Sequence, residues 1–148
     1  MESSAAGKLP VMKTSRKMSW NGQRDELDVL LNREWLVSNG FGGYASSTVS
    51  GISTRKYHGL LVAAMPSPTG RVVMLSGVTE ELRFPDGSTA ELGGEETAED
   101  RLRVPGAAYL KEFRLEMGLP VWRYEIGGFV IEKRVLLPYM QNSVYVNY

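Results

Sequence analysis

From residue 34 onward, short runs of β-branched and aromatic residues alternate with glycines and prolines. No stretch repeats apolar residues at the i, i+3, i+4, i+7 spacing of an amphipathic helix, so long helices are not expected. Residues 60–64 are continuously apolar, which is typical of a strand buried on both faces. The pattern predicts an all-β fold, an antiparallel β-sandwich.

The most regular alternation lies in residues 111–137, where two glycine turns separate three predicted strands. We take Gly118-Leu119 and Gly127-Gly128 as two-residue hairpin turns. The first turn then sets Leu115 opposite Trp122. Both registers sort the same side chains to one face, which a wrong register would not do. That predicted inner face consists of Phe113, Leu115, Trp122, Tyr124, Ile126, Phe129 and Ile131.

Two further patterns define the organisation of the chain. Residues 84–87 suit a type I turn between strands near 78–84 and 88–92. Residues 142–148 form a predicted strand in which the chain stops, so we expect the sandwich to be incomplete at its C-terminal end. Residues 1–24 are rich in Ser, Lys and Gly and predict a flexible arm. Residues 25–148 are the predicted domain, with 25–31 left open as a helical turn or an edge strand.

Composition excludes several classes of function. The 148 residues contain 17 basic and 17 acidic side chains, so there is no net positive field to hold nucleic acid. There is no cysteine and one histidine, which argues against a disulfide or a protein-bound metal. The apolar run at 60–65 is far shorter than the about 20 residues that span a bilayer. The N-terminus lacks a secretory signal, so neither membrane association nor export is expected, and we expect a cytoplasmic location.

A glycine-rich segment fits the dinucleotide fingerprint by letter through Gly40, Gly42 and Ala45. That fingerprint must open a helix and be followed about 20 residues later by an acid for the ribose. Residues 46–51 are a poor helix former, and residues 60–66 contain no acid. We therefore expect no nucleotide cofactor, and no other cofactor is indicated.

The same segment instead closely resembles the N-terminal domain of bacterial and archaeal glycogen-debranching enzymes of the amylo-α-1,6-glucosidase type. The resemblance covers about residues 33–148. It is carried by Trp35-Leu36-Val37, Asn39-Gly40, Gly42-Gly43-Tyr44-Ala45, Thr54-Arg55-Lys56-Tyr57-His58-Gly59-Leu60-Leu61-Val62 and Gly118-Leu119-Pro120-Val121-Trp122-Arg123-Tyr124. It implies a β-rich domain, a sandwich of the supersandwich type, that precedes a helical toroid in the same polypeptide. The toroid would carry the hydrolytic acid and base, and the substrate would be an α-glucan such as glycogen or a branched dextrin.

Sugar sites combine stacking aromatic rings with planar hydrogen-bonding groups. The residues that fit this description, and that we predict to bind substrate, are Asn39, Phe41, Tyr44, Arg55, Tyr57 and His58. Other roles stay open: the two tyrosines are often half-buried sheet aromatics, and the histidine beside a buried strand is often structural. Arg55 is equally suited to an ion pair with the toroid. Trp35 is expected in the core.

No catalytic residue is expected in the chain. Glycosidases need two carboxyl groups about 5–10 Å apart, whereas the acidic pairs here are sequence neighbours, which in a strand point to opposite faces. The leading hypothesis is an accessory domain of a debranching enzyme that helps to shape its glucan site. The alternatives are a stand-alone carbohydrate-binding module and a purely structural β domain.

Overall fold

The computed structural model describes residues 15–19, 27–96 and 102–148. They contain one α-helix, α1 (Leu27–Asn32), and one 3₁₀ turn, Pro105–Ala108. The strands are β1 (Ser15–Ser19), β2 (Glu34–Ser38), β3 (Tyr44–Thr48), β4 (Gly59–Ala64), β5 (Arg71–Leu75), β6 (Glu80–Arg83), β7 (Thr89–Leu92), β8 (Glu95–Glu96), β9 (Leu102–Arg103), β10 (Leu110–Glu116), β11 (Leu119–Ile126), β12 (Phe129–Leu136) and β13 (Tyr145–Asn147).

The strands form two main sheets. One has five strands in the order β1-β10-β11-β12-β13, and the other has four in the order β2-β3-β4-β5. Two short hairpins, β6-β7 and β8-β9, complete the described structure. The pairings are all antiparallel within the described residues. The predicted all-β sandwich is confirmed, and β4 is an interior strand, as its apolar run indicated.

Two tryptophans join the sheets at the centre of the core. Trp35 on β2 meets Trp122 on β11 edge to face, with ring centroids 5.3 Å apart and planes at 83°. Phe113 also packs against Trp122, with ring centroids 5.2 Å apart. Both indoles are buried, and both N–H groups donate to backbone carbonyls, that of Trp35 to Thr48 (3.1 Å) and that of Trp122 to Val49 (2.8 Å). The expectation that Trp35 lies in the core is confirmed.

The predicted register of the meander is right at one turn and wrong at the other. At Gly127-Gly128 the pairing of Tyr124 with Ile131 is as predicted. The β10–β11 turn, however, is formed by Met117 and Gly118, with φ of 52° and 86°, so Phe113 pairs with Trp122. A type I′ turn needs positive φ at both central residues. Methionine rarely adopts positive φ, so the sequence did not indicate a turn at this position. Because the register changes by two residues, every side chain keeps its predicted face.

The predicted inner face holds with one correction. Phe113, Trp122, Tyr124 and Ile126 are buried, and Leu115 and Ile131 are half-buried. Phe129 was predicted to point into the core but is 50% exposed, because it lies at the end of the hairpin and stacks on Phe84 at 5.5 Å.

That same face also carries Lys133, which is buried against Glu80 of β6. The alternation of apolar residues did not reveal this ion pair. Its two side chains are each 10% exposed. The ion pair therefore connects the β6–β7 hairpin to the five-stranded sheet through two charges that are largely removed from solvent.

The hairpin predicted at residues 84–87 is present. The Gly87 N–H donates to the Phe84 carbonyl, and the Phe84 N–H donates to the Ser88 carbonyl, both at 2.9 Å. Gly87 has φ of 84°, which gives a type I turn followed by a glycine bulge. The turn joins β6 to β7 with the strand positions that the sequence indicated.

The N-terminal region differs from the prediction. Five residues of the expected flexible arm, Ser15–Ser19, form an edge strand paired with β10. The rest of the arm, residues 1–14 and 20–24, lies outside the described residues. For residues 25–31, left open as a helical turn or an edge strand, the structure shows helix from Leu27 onward and buries Leu30 completely.

The central tryptophan gives a direct test of this architecture. We expect Trp122→Ala to lower the free energy of unfolding by about 3–5 kcal/mol, because it removes an indole packed between the sheets. The neighbouring Arg123→Ala should cost less than about 1 kcal/mol, since that side chain forms a partly exposed ion pair with Glu125. Denaturant unfolding measures both values. Similar losses for the two variants would contradict the assigned faces.

Candidate functional site

The six residues predicted to bind substrate all lie on the four-stranded sheet or its connections. Asn39 and Phe41 belong to the turn between β2 and β3, and Tyr44 is the first residue of β3. Arg55, Tyr57 and His58 lie in the connection that leads into β4. The structure separates them into three groups with different surroundings.

Asn39 organises the glycine turn from inside the protein. Its side-chain oxygen accepts hydrogen bonds from the backbone N–H groups of Phe41 and Gly43, both at 2.9 Å. Its Nδ2 donates to the Gln141 carbonyl (2.8 Å) and to Asn142 Oδ1 (3.4 Å). The residue is 1% exposed, and both its side-chain oxygen and its side-chain nitrogen hold the turn in place. The structure therefore shows a structural role for Asn39, and its contact with substrate stays a prediction.

The turn is held against a distant segment of the chain. The Asn142 side chain pairs with the backbone of Ala64 in both directions, accepting from its N–H (3.0 Å) and donating to its carbonyl (2.7 Å). The Tyr139 ring lies over Gly40, where an added Cβ would come within 2.6 Å of it. The segment around 139–142 therefore closes the end of the four-stranded sheet and fixes the turn.

Tyr44 and Tyr57 form a groove with Arg71, a residue that the sequence pattern did not indicate. The groove has a volume of about 730 Å³, and Gly42 is among the residues that line it. The Tyr44 hydroxyl donates to the Tyr57 carbonyl (3.0 Å), and the Tyr57 ring is 66% exposed. The Arg71 guanidinium lies 5.8 Å from the Tyr44 ring centroid, and its Nε donates to the Gly42 carbonyl (2.8 Å). An aromatic platform and a cationic fork thus line one cleft.

Phe41 lies next to this groove in the glycine turn. The ring is 51% exposed, as expected for an aromatic among glycines. The following residue, Gly42, has φ of 96° and lines the groove. The turn therefore carries an exposed aromatic ring on the residue that precedes Gly42 of the groove.

Arg55 and His58 meet at a carboxylate rather than in the groove. Arg55 Nε is hydrogen-bonded to Glu34 Oε1, and His58 Nε2 lies 3.8 Å from the same oxygen. The imidazole is buried, and its Nδ1 accepts a hydrogen bond from the Thr54 N–H (3.2 Å), which fixes the neutral form with the proton on Nε2. Burial lowers the pKa of His58, and the nearby Glu34 only partly opposes this. The Arg55 hydrogen bond lowers the pKa of Glu34.

Three important residues gave no recognisable signal in the sequence. Arg71 reaches the groove only because β5 pairs it with Ala64 of β4. Asn142 acts on a strand 78 positions away. Glu34 looks like any exposed strand residue until the connection after β3 folds back over it.

The described ranges were also compared with the requirements of a metal site and of a membrane-spanning helix. Those residues contain no cluster of three or more potential metal ligands. Their single helix is too short to cross a membrane.

The role of Asn39 can be tested through stability. We expect Asn39→Ala to lower the free energy of unfolding by about 1–3 kcal/mol, because it leaves the buried Gly43 N–H without an acceptor. The matched control is Asn32→Ala, which removes one exposed hydrogen bond to the Asp28 carbonyl and should change stability by less than about 0.5 kcal/mol. Equal effects in urea titrations would show that Asn39 does not organise the turn.

His58 gives a pH-dependent prediction. Its pKa in the folded chain lies below the ordinary value of about 6.5, so the unfolded chain binds the proton first as the pH falls. Stability should therefore be full above about pH 6.5 and should decrease as the pH falls from there toward the folded pKa. Urea unfolding at pH 7.5 and pH 5.5 measures the decrease, and His58→Gln should remove that part of it. If stability decreases equally in the variant, His58 is not a neutral buried imidazole. The charged groups that act on its pKa are Glu34 and Arg55.

Comparison with known proteins identifies the family. No curated protein and no solved structure matches the chain. The family described as "Glycogen debranching enzyme N terminal" matches residues 33–148, which include the turn, the connection before β4 and the meander. The match confirms the resemblance carried by residues 35–62 and covers more than half of the sequence. The chain therefore belongs to the glycogen debranching enzyme N-terminal family.

Proposed function

We propose that this chain is the accessory N-terminal domain of a glycogen-debranching glycoside hydrolase of the amylo-α-1,6-glucosidase type. It packs on a helical catalytic domain of the same polypeptide and helps to shape the site for an α-glucan. The observation that carries the proposal is the groove of Tyr44, Tyr57 and Arg71 within a chain of this family.

The chemistry of the groove supports an α-glucan ligand. The exposed Tyr57 ring offers an apolar face on which a glucose ring can stack, and the exposed Phe41 ring lies on the residue that precedes Gly42 of the groove. Arg71 and the Tyr57 hydroxyl offer donors for sugar hydroxyls, and the Tyr44 hydroxyl, whose proton is donated to the Tyr57 carbonyl, can accept a hydrogen bond. Because Arg71 is held by the Gly42 carbonyl and lies against Tyr44, less side-chain freedom is lost when a ligand binds.

Arg55 and His58 take an indirect part in this proposal. Both contact Glu34 of β2, and together they hold the connection that carries Tyr57. We assign them to positioning Tyr57, and we assign sugar contacts to Phe41, Tyr44, Tyr57 and Arg71.

The carboxyl groups whose pKa values are shifted do not fit the role of a glycosidase acid. A glycosidase acid needs a raised pKa. The shifted carboxyl pKa values in the described residues are all lowered, through hydrogen bonds to Arg55 for Glu34, to Ser88 for Asp86, to Lys17 for Glu112 and to Arg114 for Glu132. These groups are ionised at neutral pH and have no proton to give to a leaving group.

A second candidate function is a stand-alone carbohydrate-binding module. It is favoured by the exposure of the Tyr57 ring, 66% of which is open in this chain and offers a platform for stacking. The two candidates differ in the enzyme property that Tyr57 affects. In a carbohydrate-binding module, Tyr57 contributes only to substrate capture. In a domain that shapes the catalytic site, Tyr57 also affects the turnover of short substrates.

The groove can be tested by titrating the 148-residue chain with maltoheptaose in a calorimeter. We expect Tyr57→Ala to weaken binding about tenfold, because it removes the stacking platform. Tyr145→Ala is the matched control: it removes a tyrosine of similar exposure from β13, outside the groove, and should leave the affinity within about twofold. The chain should release no glucose from a branched dextrin in the same preparations.

The accessory role requires a second measurement in a polypeptide that contains the catalytic domain. Tyr57→Ala should lower kcat/KM for a short branched dextrin, with an unchanged melting temperature. An unchanged kcat/KM together with weaker glycogen binding would favour the module. Unaltered binding and unaltered kinetics would remove the groove from the proposal.

A further inference from the structure

A second aromatic groove lies between two hairpin turns, on residues that the proposed function does not use. It has a volume of about 480 Å³, within the usual range of small-ligand sites. The turn after β6 contributes Phe84, and the start of β12 contributes Phe129. This groove shares no lining residue with the groove of Tyr44 and Tyr57.

The walls of this groove are aromatic and its edge is polar. Phe84 and Phe129 stack at 5.5 Å with planes at 30°, and Tyr109 adds a third ring. Ala90 and Ile126, which are buried, form the inner part of the groove lining. The edge consists of exposed polar side chains, Asp86, Ser88 and Thr89.

The two phenylalanines are held in place by contacts deeper in the structure. Phe129 and Lys133 lie four residues apart on one face of β12, and Phe84 and Glu80 lie four residues apart along β6 and its turn. Phe84 stacks on Phe129 at one end, and Glu80 pairs with Lys133 at the other. The spacing of the rings is therefore fixed at two points, although Phe129 itself is half exposed.

The charge of the groove limits what can bind there. Asp86 is the one charged side chain in its lining. Its Oδ1 accepts hydrogen bonds from the Ser88 N–H (2.9 Å) and hydroxyl (2.6 Å), and these bonds lower the pKa of the carboxyl. A permanent negative charge with no basic partner in the lining disfavours phosphate and other anions. Rings flanked by hydroxyl and carboxylate acceptors suit a neutral ligand with many hydroxyl groups.

We infer that the groove lined by Phe84 and Phe129 is a second saccharide-binding site, with a neutral glucan chain as its ligand. A sugar ring stacks on Phe129, and its hydroxyls donate to Asp86 and the edge hydroxyls. The inference rests on the proposed function for the choice of glucan. Two separate sites on one domain would raise its avidity for a branched polymer above its affinity for a short chain.

The test uses the 148-residue chain labelled with ¹⁵N and titrated with maltoheptaose. We expect two groups of backbone amides to shift, one around Gly127 and Phe129 and the other around Gly42 and Tyr57. Phe129→Ala should weaken the response of the first group about tenfold and leave the second unchanged. Tyr57→Ala should do the reverse.

The matched control for the new site is Val130→Ala. Val130 follows Phe129 on β12, is 56% exposed and does not line the groove, so this variant should leave both responses unchanged. Phe129→Leu keeps an apolar side chain without a ring. It should lose the first response and keep the native indole signals of Trp35 and Trp122, which separates loss of binding from loss of folding.

Each result decides between the two proposals. Shifts at Tyr57 alone would overturn the second site and leave the proposed function standing, whereas shifts at Phe129 alone would do the opposite. No shift in either group would overturn both. If maltoheptaose has no effect at Phe129 and Phe129→Ala instead abolishes self-association of the chain, the groove is a contact between copies and the inference is wrong.

Discussion

The contact between Trp35 and Trp122 joins the two sheets, and the position of the site depends on it. Both indoles are buried, and their N–H groups donate to the carbonyls of Thr48 and Val49 at the end of β3. A buried N–H without an acceptor would cost about 1–3 kcal/mol, so the two carbonyls must stay where the indoles can reach them. The sheets therefore close with the end of β3 in one position.

That position determines the course of the connection that carries Tyr57. Beyond β3 the chain is held by buried hydroxyls: Thr48 Oγ1 shares a hydrogen bond with Ser50 Oγ and donates to the Ile52 carbonyl, both at 2.7 Å. Such satisfied polar networks favour one conformation over alternatives. The connection then folds back along β2 to Glu34 and brings Tyr57 beside Tyr44. The groove is thus a consequence of how the core is closed.

The sequence predicts most of the fold because the relevant signals are local. Alternation with a period of two and the glycines at 127 and 128 were enough for the β11–β12 register. They were not enough for the β10–β11 turn, since an exposed methionine at positive φ is decided by the twist of its strands. The site was predicted less completely. Its predicted residues lie on one sheet and its connections, but Arg71 joins Tyr44 through strand register, and the burial of Asn39 depends on residues 141 and 142.

Lys133 shows why a face assigned by alternation can be correct and still incomplete. It lies among apolar neighbours on the inner face of β12, bonded to Glu80 and 5.7 Å from the ring centroid of Trp122. Removing such charges from water costs several kcal/mol for each. Apolar residues of the same size in their place often stabilise the folded state equally well. What an ion pair adds is register, because a slipped hairpin would leave both charges buried and unpaired. The Tyr148 hydroxyl also donates to Glu80 (2.5 Å), so β13 is tied to the same carboxylate. The pair therefore holds three parts of the fold in a single alignment, the one in which Phe84 lies on Phe129.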